Sequence, residues 1–380
     1  MGTSHTGRPP RLLLVANVAK EHVLKFHIPT IRMLKDKGWQ VDVACSGDDE
    51  IPYCDAHYRM SYKRSPFNLA LFRGIRELMQ IVNRGDYDIV YCHTPVGGLA
   101  ARIASVKARK SGTKVIYFAH GFHFFKGASK LNWLLYYPME KFLSWMTDSL
   151  ILINEEDHTI AREKFRSCKT YLLNGIGIDA RRFVITDRQA IRKQYREEMQ
   201  IPEDATVLVY LAELLPNKNQ TFLMRALKKV LETHQNVYLV LAGFDHCNGE
   251  FKTYASQIGV ADHVRFLGWR EDVANLYAMA DICTASSIRE GFGLNLVEAM
   301  FCGLPVVATV NRGHSTIIRD GENGFLVPLD DEELFARRIV QLMEDTELVQ
   351  RFVQKGKEEQ GKYSSEAVCD ELFEILNSHL

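Results

Sequence analysis

Residues 282–309 contain a complete strand–turn–helix–strand unit and read ICTASSIREGFGLNLVEAMFCGLPVVAT. The apolar run Ile282–Ser286 is typical of a buried strand, and a turn with two glycines follows it. An amphipathic helix is predicted to begin near Leu294 and to end at Gly303, because glycine favours the left-handed conformation that ends helices. Pro305–Thr309 is the next apolar run. Two strands joined by a helix predict a parallel sheet.

The same alternation of short apolar runs and amphipathic stretches extends through the chain. The predicted strands of the first half are Arg11–Asn17, Gln40–Ser46, Asp88–His93, Lys114–His120, Ser149–Asn154 and Lys169–Leu173. Those of the second half are Thr206–Glu213, Val237–Ala242, Val264–Leu267, Ile282–Ser286, Pro305–Thr309 and Gly324–Val327. Two such series predict an α/β fold with two doubly wound, Rossmann-like domains. Ligands bind outside the carboxyl ends of such strands, so we expect the functional site in a cleft between the domains.

The domain boundary is predicted at the turn Asn174–Asp179, where Gly175 and Gly177 can act as a hinge. The domains are then 11–177 and 178–362, and residues 363–380 form a helix that packs back on the first domain.

The composition is that of a globular protein. Hydrophobic residues make up 46% and charged residues 25% of the 380 residues, which excludes disordered and fibrous classes. The apolar runs are too short to span a bilayer. Eight cysteines without a C-x-x-C pair predict reduced thiols in a cytoplasmic protein. Residues 1–175 contain 25 Lys and Arg against 16 Asp and Glu, which favours an anionic partner for the first domain, with uneven surface charge as the alternative.

The turn before Leu294 is predicted to bind a nucleotide sugar. A glycine-rich turn that leads into a helix offers unpaired amides and the positive end of the helix dipole to phosphate. Glu290 before the turn and Glu298 within the helix could each bind paired sugar hydroxyls. A glycosidase-type carboxylate pair is the alternative, and the separation of the two along the chain disfavours it without excluding it. The residues predicted to contact the donor here are Glu290, Gly291, Phe292, Gly293, Leu294 and Glu298.

Two further loops follow predicted strands at the same edge of their sheets. In the first, which contains Glu213 and Asn217, Lys218 is suited to bind a diphosphate. In the second, His120 and His123 could donate to a sugar hydroxyl or transfer a proton near neutral pH, whereas a buried structural role is the alternative.

Three weaker features complete the sequence reading. Residues 93–98 could bind an acceptor phosphate, and helix packing explains them equally well. The D-x-D sequence Asp86–Asp88 precedes its strand and thus lies at the wrong edge of the sheet, so no metal ligand is predicted. The segment Lys126–Asp148 combines aromatic residues with lysines, which favours peripheral membrane contact over simple core packing.

The sequence resembles the glycosyltransferases of family 4, which have the GT-B fold. The segment from Glu290 to Glu298 matches the E-x(7)-E motif of that family. The likeness extends over about residues 11–360 and is greatest to bacterial enzymes that build exopolysaccharide or capsule repeat units. Further matching segments are Gly303–Ala308, Gly321–Phe325, Phe26–Pro29, His93–Pro95, His120–Phe124 and Asn311–His314.

The resemblance implies a retaining transfer of a hexose or N-acetylhexosamine from a nucleotide sugar, often a UDP-sugar, without a metal or other cofactor. The second domain would bind the nucleotide sugar and the first an acceptor, here a polyprenyl-diphosphate-linked sugar, with no nucleic acid involved. By motif position, Glu298 would bind the ribose, Glu290 the hexose and Lys218 the diphosphate. His120 would lie near the reaction centre, and Trp269 and Arg270 would border the base. The acceptor side would include Lys20, His27, Thr94, Gly97, Gly98 and His123.

The sequence departs from the family in two loops. Ala212-Glu213-Leu214 stands where Gly-Arg-Leu or Gly-Glu-Leu is common, so more of the diphosphate charge would fall to Lys218. The loop Val18–His22 lacks a glycine pair found in many members. Because no residue stands out as a nucleophile, we expect front-face displacement, in which the leaving phosphate takes the acceptor proton. A nucleotide-sugar 2-epimerase and a non-catalytic nucleotide-sugar-binding protein remain as alternatives, and a hydride-transfer enzyme ranks last.

Overall fold

The computed structural model describes residues 7–61, 69–165 and 168–380. These residues form two compact units. The first comprises the described residues up to Gly177 together with Ser365–Leu380, and the second comprises Ile178–Ser364.

The first unit contains a parallel sheet of seven strands. Its strands are β1 (Arg11–Val18), β2 (Gln40–Ser46), β3 (Ala56–Arg59), β4 (Ile89–His93), β5 (Lys114–Ala119), β6 (Ser149–Leu152) and β7 (Lys169–Leu172). Their order in the sheet is β3-β2-β1-β4-β5-β6-β7. The central strands β1, β4 and β5 are almost wholly buried, as expected for a parallel sheet covered on both faces.

Helices connect these strands and cover the sheet. They are α1 (Ile28–Asp36), α2 (Leu69–Gly85), α3 (Pro95–Ala104), α4 (Val106–Arg109), α5 (Lys130–Leu143) and α6 (Glu155–Lys164). A π-helix, Ala19–His27, lies between β1 and α1. The chain between β4 and β5 forms two helices, because α3 ends before Ser105 and α4 begins after it.

The second unit contains a parallel sheet of six strands in the order β10-β9-β8-β11-β12-β13. Its strands are β8 (Thr206–Leu211), β9 (Val237–Ala242), β10 (Val264–Phe266), β11 (Ile282–Ala285), β12 (Val306–Thr309) and β13 (Phe325–Val327). The helices that follow α6 are α7 (Arg188–Glu198), α8 (Gln220–Leu231), α9 (Glu250–Gln257), α10 (Val273–Met279), α11 (Leu294–Phe301), α12 (His314–Ile317), α13 (Glu332–Glu344) and α14 (Thr346–Glu359).

The last helix, α15 (Ser365–Asn377), belongs to the first unit. It packs on α1, and the ring of Phe373 lies 6.0 Å from the ring of Trp39. The predicted fold of two doubly wound parallel sheets is confirmed.

Candidate functional site

The loop between β11 and α11 leads directly into the first turn of a helix. Gly293 precedes Leu294, the first residue of α11, and has a φ of +112°. A Cβ atom at Gly293 would lie 3.2 Å from Cδ2 of His314, so the position requires both a left-handed backbone and a small residue. The first amides of a helix lack partners within it and carry the positive end of its dipole. The predicted helix start is confirmed, and phosphate binding there stays a prediction.

Glu290 and Lys218 form an ion pair at the carboxyl end of the second sheet. Nζ of Lys218 lies 2.5 Å from Oε1 of Glu290, and the hydroxyl of Ser287 donates to the same oxygen at 2.7 Å. Burial acts to raise the pKa of the Glu290 carboxyl, but the charge of Lys218 and its hydrogen bond outweigh burial, so the pKa lies below its usual value. Glu290 is therefore an anion at neutral pH.

The loop after β8 is tied to the loop after β11 by three hydrogen bonds. The amide of Ile288 donates to the carbonyl oxygen of Asn217 at 2.8 Å, and the Asn217 side chain donates to the carbonyl oxygen of Arg289 at 3.0 Å. The hydroxyl of Ser286 donates to the carbonyl oxygen of Lys218 at 2.8 Å. Because β8 and β11 are neighbours in the sheet, these bonds fix Lys218 beside Glu290.

A third loop, after β12, also supports this region, and none of its residues was predicted as a site residue. The side chains of Thr309 and Asn311 donate to the carbonyl oxygen of Ser287 at 2.8 and 2.9 Å. A Cβ atom at Gly313 would lie 2.7 Å from Cβ of Glu290, so only glycine allows this approach. The loop follows a predicted strand, so the rule that ligands bind at strand carboxyl ends could have included it.

His314 is fully buried at the start of α12 and was also missed as a site residue. Its Nδ1 lies 2.8 Å from the carbonyl oxygen of Thr309 and 2.9 Å from the amide nitrogen of the Asn311 side chain. Burial lowers the pKa of the imidazole, and the nearby Glu290 carboxylate opposes this shift only in part. His314 is therefore a neutral ring beside the glycine turn.

The remaining residues predicted on the donor side make other contacts. Glu298 accepts a hydrogen bond from the hydroxyl of Tyr277 at 3.2 Å. The exposed carboxylate of Glu213 lies 3.8 Å from Nε2 of His246. Trp269 is exposed, and its place beside the base stays a prediction. Phe292 is buried, and its ring packs edge-on against Tyr363.

Arg270 is held by two carboxylates. Its guanidinium donates to both oxygens of Asp272, at 2.8 and 2.6 Å, and to Glu198 at 3.3 Å. Hydrogen bonding to Arg270 lowers the pKa of Asp272 to about 2. The guanidinium of Arg270 is therefore fixed by these two carboxylates, and its place beside the base stays a prediction.

In the first unit, His120 and His27 belong to a group of four histidines. Of the other two members, His93 lies in the segment 93–98 predicted as a possible site for an acceptor phosphate, and His22 was not predicted as a site residue. One ring nitrogen from each of the four lies within 4.8 Å of those of the others. Burial, and then the neighbouring imidazoles, lower the pKa of His27, His93 and His120, so these rings are neutral.

The other residues predicted on the acceptor side are dispersed around the same edge of the sheet. Lys20 is exposed on the π-helix, and the ring of His123 stacks on Tyr136 at 4.6 Å. Thr94 has a φ of +64° immediately before α3. A Cβ atom at Gly97 would lie 3.1 Å from the Ala16 carbonyl carbon, and one at Gly98 would lie 2.5 Å from the Tyr117 ring. Close helix packing therefore explains the two glycines without a phosphate.

The D-x-D sequence lies at the amino end of β4, as predicted. Asp88 accepts hydrogen bonds from the Arg8 guanidinium at 2.9 Å and from the backbone amide of Arg11 at 2.8 Å. The Asp88 carboxylate thus links the start of β4 to the residues that precede and begin β1.

Part of the predicted aromatic, basic segment is exposed. Glu140 on α5 is buried and pairs with Arg102 at 2.7 Å. On the other side of the helix large apolar side chains are exposed. We call them the α5 surface, which consists of Leu131, Leu134, Leu135 and Phe142 of α5 and of Trp145 in the turn that follows it. Trp145 is 74% exposed. Within residues 7–61, 69–165 and 168–380, no helix combines the length and the apolar character needed to cross a membrane.

Two doubly wound parallel sheets are the architecture of the GT-B fold. Two family models match the chain: "Glycosyl transferase 4-like" over residues 11–154 and "Glycosyl transferases group 1" over residues 191–359. The chain belongs to the family 4 glycosyltransferases.

Its relatives include proteins of known name and structure. It is 43% identical, over 94% of both chains, to EpsD of Bacillus subtilis, which is provisionally assigned as a glycosyltransferase. It is 26% identical, over 73% of both chains, to an Escherichia coli UDP-Gal:α-D-GlcNAc-diphosphoundecaprenol α-1,3-galactosyltransferase. The crystal structure of Anabaena HepE with UDP and glucose superimposes with a TM-score of 0.78 at 20% identity, covering 98% of this chain and all of the other.

Proposed function

We propose that this glycosyltransferase moves a hexose or N-acetylhexosamine from a UDP-sugar to a polyprenyl-diphosphate-linked sugar, with retention, during exopolysaccharide or capsule synthesis. The observation that carries this proposal is the Lys218–Glu290 pair beside the start of α11. It brings a cation, a carboxylate and the first turn of a helix together within one short stretch of the sheet edge. The lipid-linked acceptor is supported by the name of the Escherichia coli relative, and the exopolysaccharide role by the likeness to EpsD.

The donor would bind along the carboxyl edge of the second sheet. Lys218 and the first amides of α11 would neutralise the diphosphate, Glu290 would accept from hexose hydroxyls, and Glu298 would accept from the ribose. As the bond to the nucleoside diphosphate breaks, negative charge develops on the leaving phosphate. A fixed ammonium and fixed helix amides stabilise that charge without reorganisation.

Retention by front-face displacement is favoured by the surroundings of Glu290. A carboxylate that accepts from both Lys218 and Ser287 has its charge stabilised, so it is a poor nucleophile toward a sugar carbon. In the proposed reaction the acceptor oxygen bonds to the anomeric carbon as the bond to the diphosphate breaks. The acceptor proton passes to the departing phosphate oxygen. No metal at the diphosphate is needed in this scheme, because Lys218 supplies the compensating charge.

The first unit would bring the enzyme to its lipid-linked acceptor by contact with an anionic membrane surface. Large apolar side chains on the α5 surface lie beside exposed Lys130 and Lys141. Such a combination of apolar and basic residues suits a bilayer interface.

The proposed function is tested by measuring UDP release from a panel of UDP-hexoses and UDP-N-acetylhexosamines. Release that requires a polyprenyl-diphosphate sugar, with an α-linked product by NMR, is the expected result. Epimer formation without acceptor would instead indicate a 2-epimerase. UDP binding without turnover on any member of the panel would indicate a binding protein. A glycosyl adduct on Glu290 would refute front-face displacement.

A further inference from the structure

The four histidines of the first unit lie at the carboxyl ends of three adjacent strands. His22 and His27 are on the π-helix that follows β1, His93 is the last residue of β4, and His120 directly follows β5. Because β1, β4 and β5 are consecutive in the sheet, the chain brings the four rings together from three separate loops. This is the edge at which doubly wound sheets bind ligands.

The distances between the rings suit a single ion. Nε2 of His22 and Nε2 of His27 are 3.1 Å apart, and one nitrogen from each of the four rings lies within 4.8 Å of the others. Zn²⁺ binds imidazole nitrogen at about 2.0–2.1 Å, so the nitrogens of a tetrahedral site lie about 3.3–3.4 Å apart. The His22–His27 pair is near that separation, and a pair at the 4.8 Å limit would have to close by about 1.4 Å to reach it.

Two members of the cluster contain buried nitrogens that lack hydrogen-bond partners. His93 is 0% exposed, and neither Nδ1 nor Nε2 of its ring has a partner among the described residues. Nε2 of His120 is likewise buried and unpaired there. Buried polar groups are nearly always satisfied by protein, water or an ion. A metal at the centre of the cluster would bind one nitrogen from each ring.

The π-helix gives the cluster its geometry. Residues five apart on an α-helix are about 140° apart around its axis, so His22 and His27 would point in different directions. In a π-helix the hydrogen bonds join residues five apart, so the two side chains lie above one another. The local backbone is therefore the conformation that pairs these two imidazoles.

We propose that His22, His27, His93 and His120 bind one Zn²⁺ ion. All four donors are imidazoles, which suit zinc and neighbouring transition metals rather than Mg²⁺ or Ca²⁺. Four protein ligands leave no open position, so this is a structural site that fixes the π-helix against β4 and β5. His120 is then a positioning residue, held through the metal, in place of the proton-transferring role predicted from sequence.

The test uses the full-length chain without a histidine tag, freed of metal by a chelator and titrated with Zn²⁺ alone. We expect about one Zn²⁺ per chain, and a Co²⁺ titration with the strong visible absorption of a tetrahedral site. We also expect a higher unfolding temperature with Zn²⁺ than without it. No saturable binding of Zn²⁺, or octahedral Co²⁺ only, would overturn the proposal without any variant being needed.

Variants locate the site. His93→Asn and His27→Asn should each weaken Zn²⁺ binding at least about tenfold, since loss of an outer-shell partner alone costs that much. His158→Asn is the matched control, because His158 lies on α6 of the same unit, outside the cluster. Equal Zn²⁺ affinity in His93→Asn and the parent would contradict the assignment. The result is independent of the proposed function, because UDP titration reports on the second unit separately.

Discussion

Lys218 is the compact cation of the candidate donor site. Its Nζ contacts Glu290 at 2.5 Å, and its carbonyl oxygen is held by Ser286, so its position is fixed before any ligand arrives. Lys218→Ala removes the charge that we expect to stabilise the leaving diphosphate. Turnover should fall at least tenfold, which corresponds to a rise of about 1.4 kcal/mol in the activation free energy. The rate of UDP release at saturating donor and acceptor measures this.

Lys229→Ala is the matched control for that variant. Lys229 lies on the same loop-and-helix segment, on α8, and pairs at the surface with Glu333 at 2.9 Å. It should leave turnover unchanged. If Lys218→Ala folds with the parent unfolding temperature and retains the parent rate, the diphosphate role of Lys218 is wrong.

Glu298 is a second residue whose role can be tested by itself. It accepts from the hydroxyl of Tyr277, and we expect its carboxylate to bind the ribose hydroxyls. Glu298→Ala should lower turnover at least tenfold, again about 1.4 kcal/mol. Tyr277→Phe removes the hydroxyl that bonds Glu298 and the carbonyl oxygen of Asn295 but leaves the Glu298 carboxylate in place, so it should have the smaller effect. An unchanged rate in Glu298→Ala would reject the assignment.

At the residue scale, sequence reasoning could identify polar residues at strand ends but not their partners. Glu290 and Lys218 were selected separately, and their contact depends on β8 and β11 being neighbours, which no local pattern reveals. For the same reason His120 was considered beside His123, which follows it in sequence, rather than beside His22, His27 and His93. Those contacts join three loops across the sheet edge.

At the level of elements, the turn that begins α11 depends on Gly293. Its φ of +112° is strained for any residue with a side chain, and a Cβ atom there would also press on His314. Gly293→Ala should therefore destabilise the fold by about 1–3 kcal/mol and displace the first amides of α11. Thermal unfolding and titration with UDP measure the two effects.

Gly112 provides a control with nearly the same backbone. Its φ is +113°, and nothing lies within 4 Å of an added Cβ atom. Gly112→Ala should thus lose comparable stability from backbone strain but bind UDP like the parent. If both variants bind UDP equally well, the amides at the start of α11 do not contribute to the donor site.

Regular elements were predicted where the apolar pattern was strong. The helix predicted within residues 363–380 is confirmed and spans Ser365–Asn377. The strand β3 was missed, because Ala56–Arg59 is a half-buried edge strand of four residues with no apolar run. The π-helix was also missed. Hydrophobic patterns reveal only the 3.6-residue period of an α-helix or the 2-residue period of a strand.

For the molecule as a whole, two features of the first unit are consistent with attachment to an acidic lipid surface. Residues 1–175 carry nine more basic than acidic side chains. The α5 surface adds large exposed apolar residues, of which Leu134 and Trp145 are 70% and 74% exposed. A single exposed hydrophobic residue needs no explanation, but a contiguous group on one helix indicates an interaction surface.

Replacement of both Phe142 and Trp145 by Ser should abolish binding to vesicles that contain anionic lipid. The two rings supply the largest apolar area of the α5 surface, whereas the basic charge of the unit remains and alone binds weakly. Co-sedimentation with anionic and with neutral vesicles measures this, and the parent should bind the anionic ones and lose binding as salt screens the charges. Phe244→Ser is the matched control, because Phe244 is a 57% exposed aromatic residue of the second unit and should leave binding unchanged. If the double variant binds as the parent does, the membrane contact lies elsewhere. If the parent binds neutral vesicles equally well, the contact does not depend on charge.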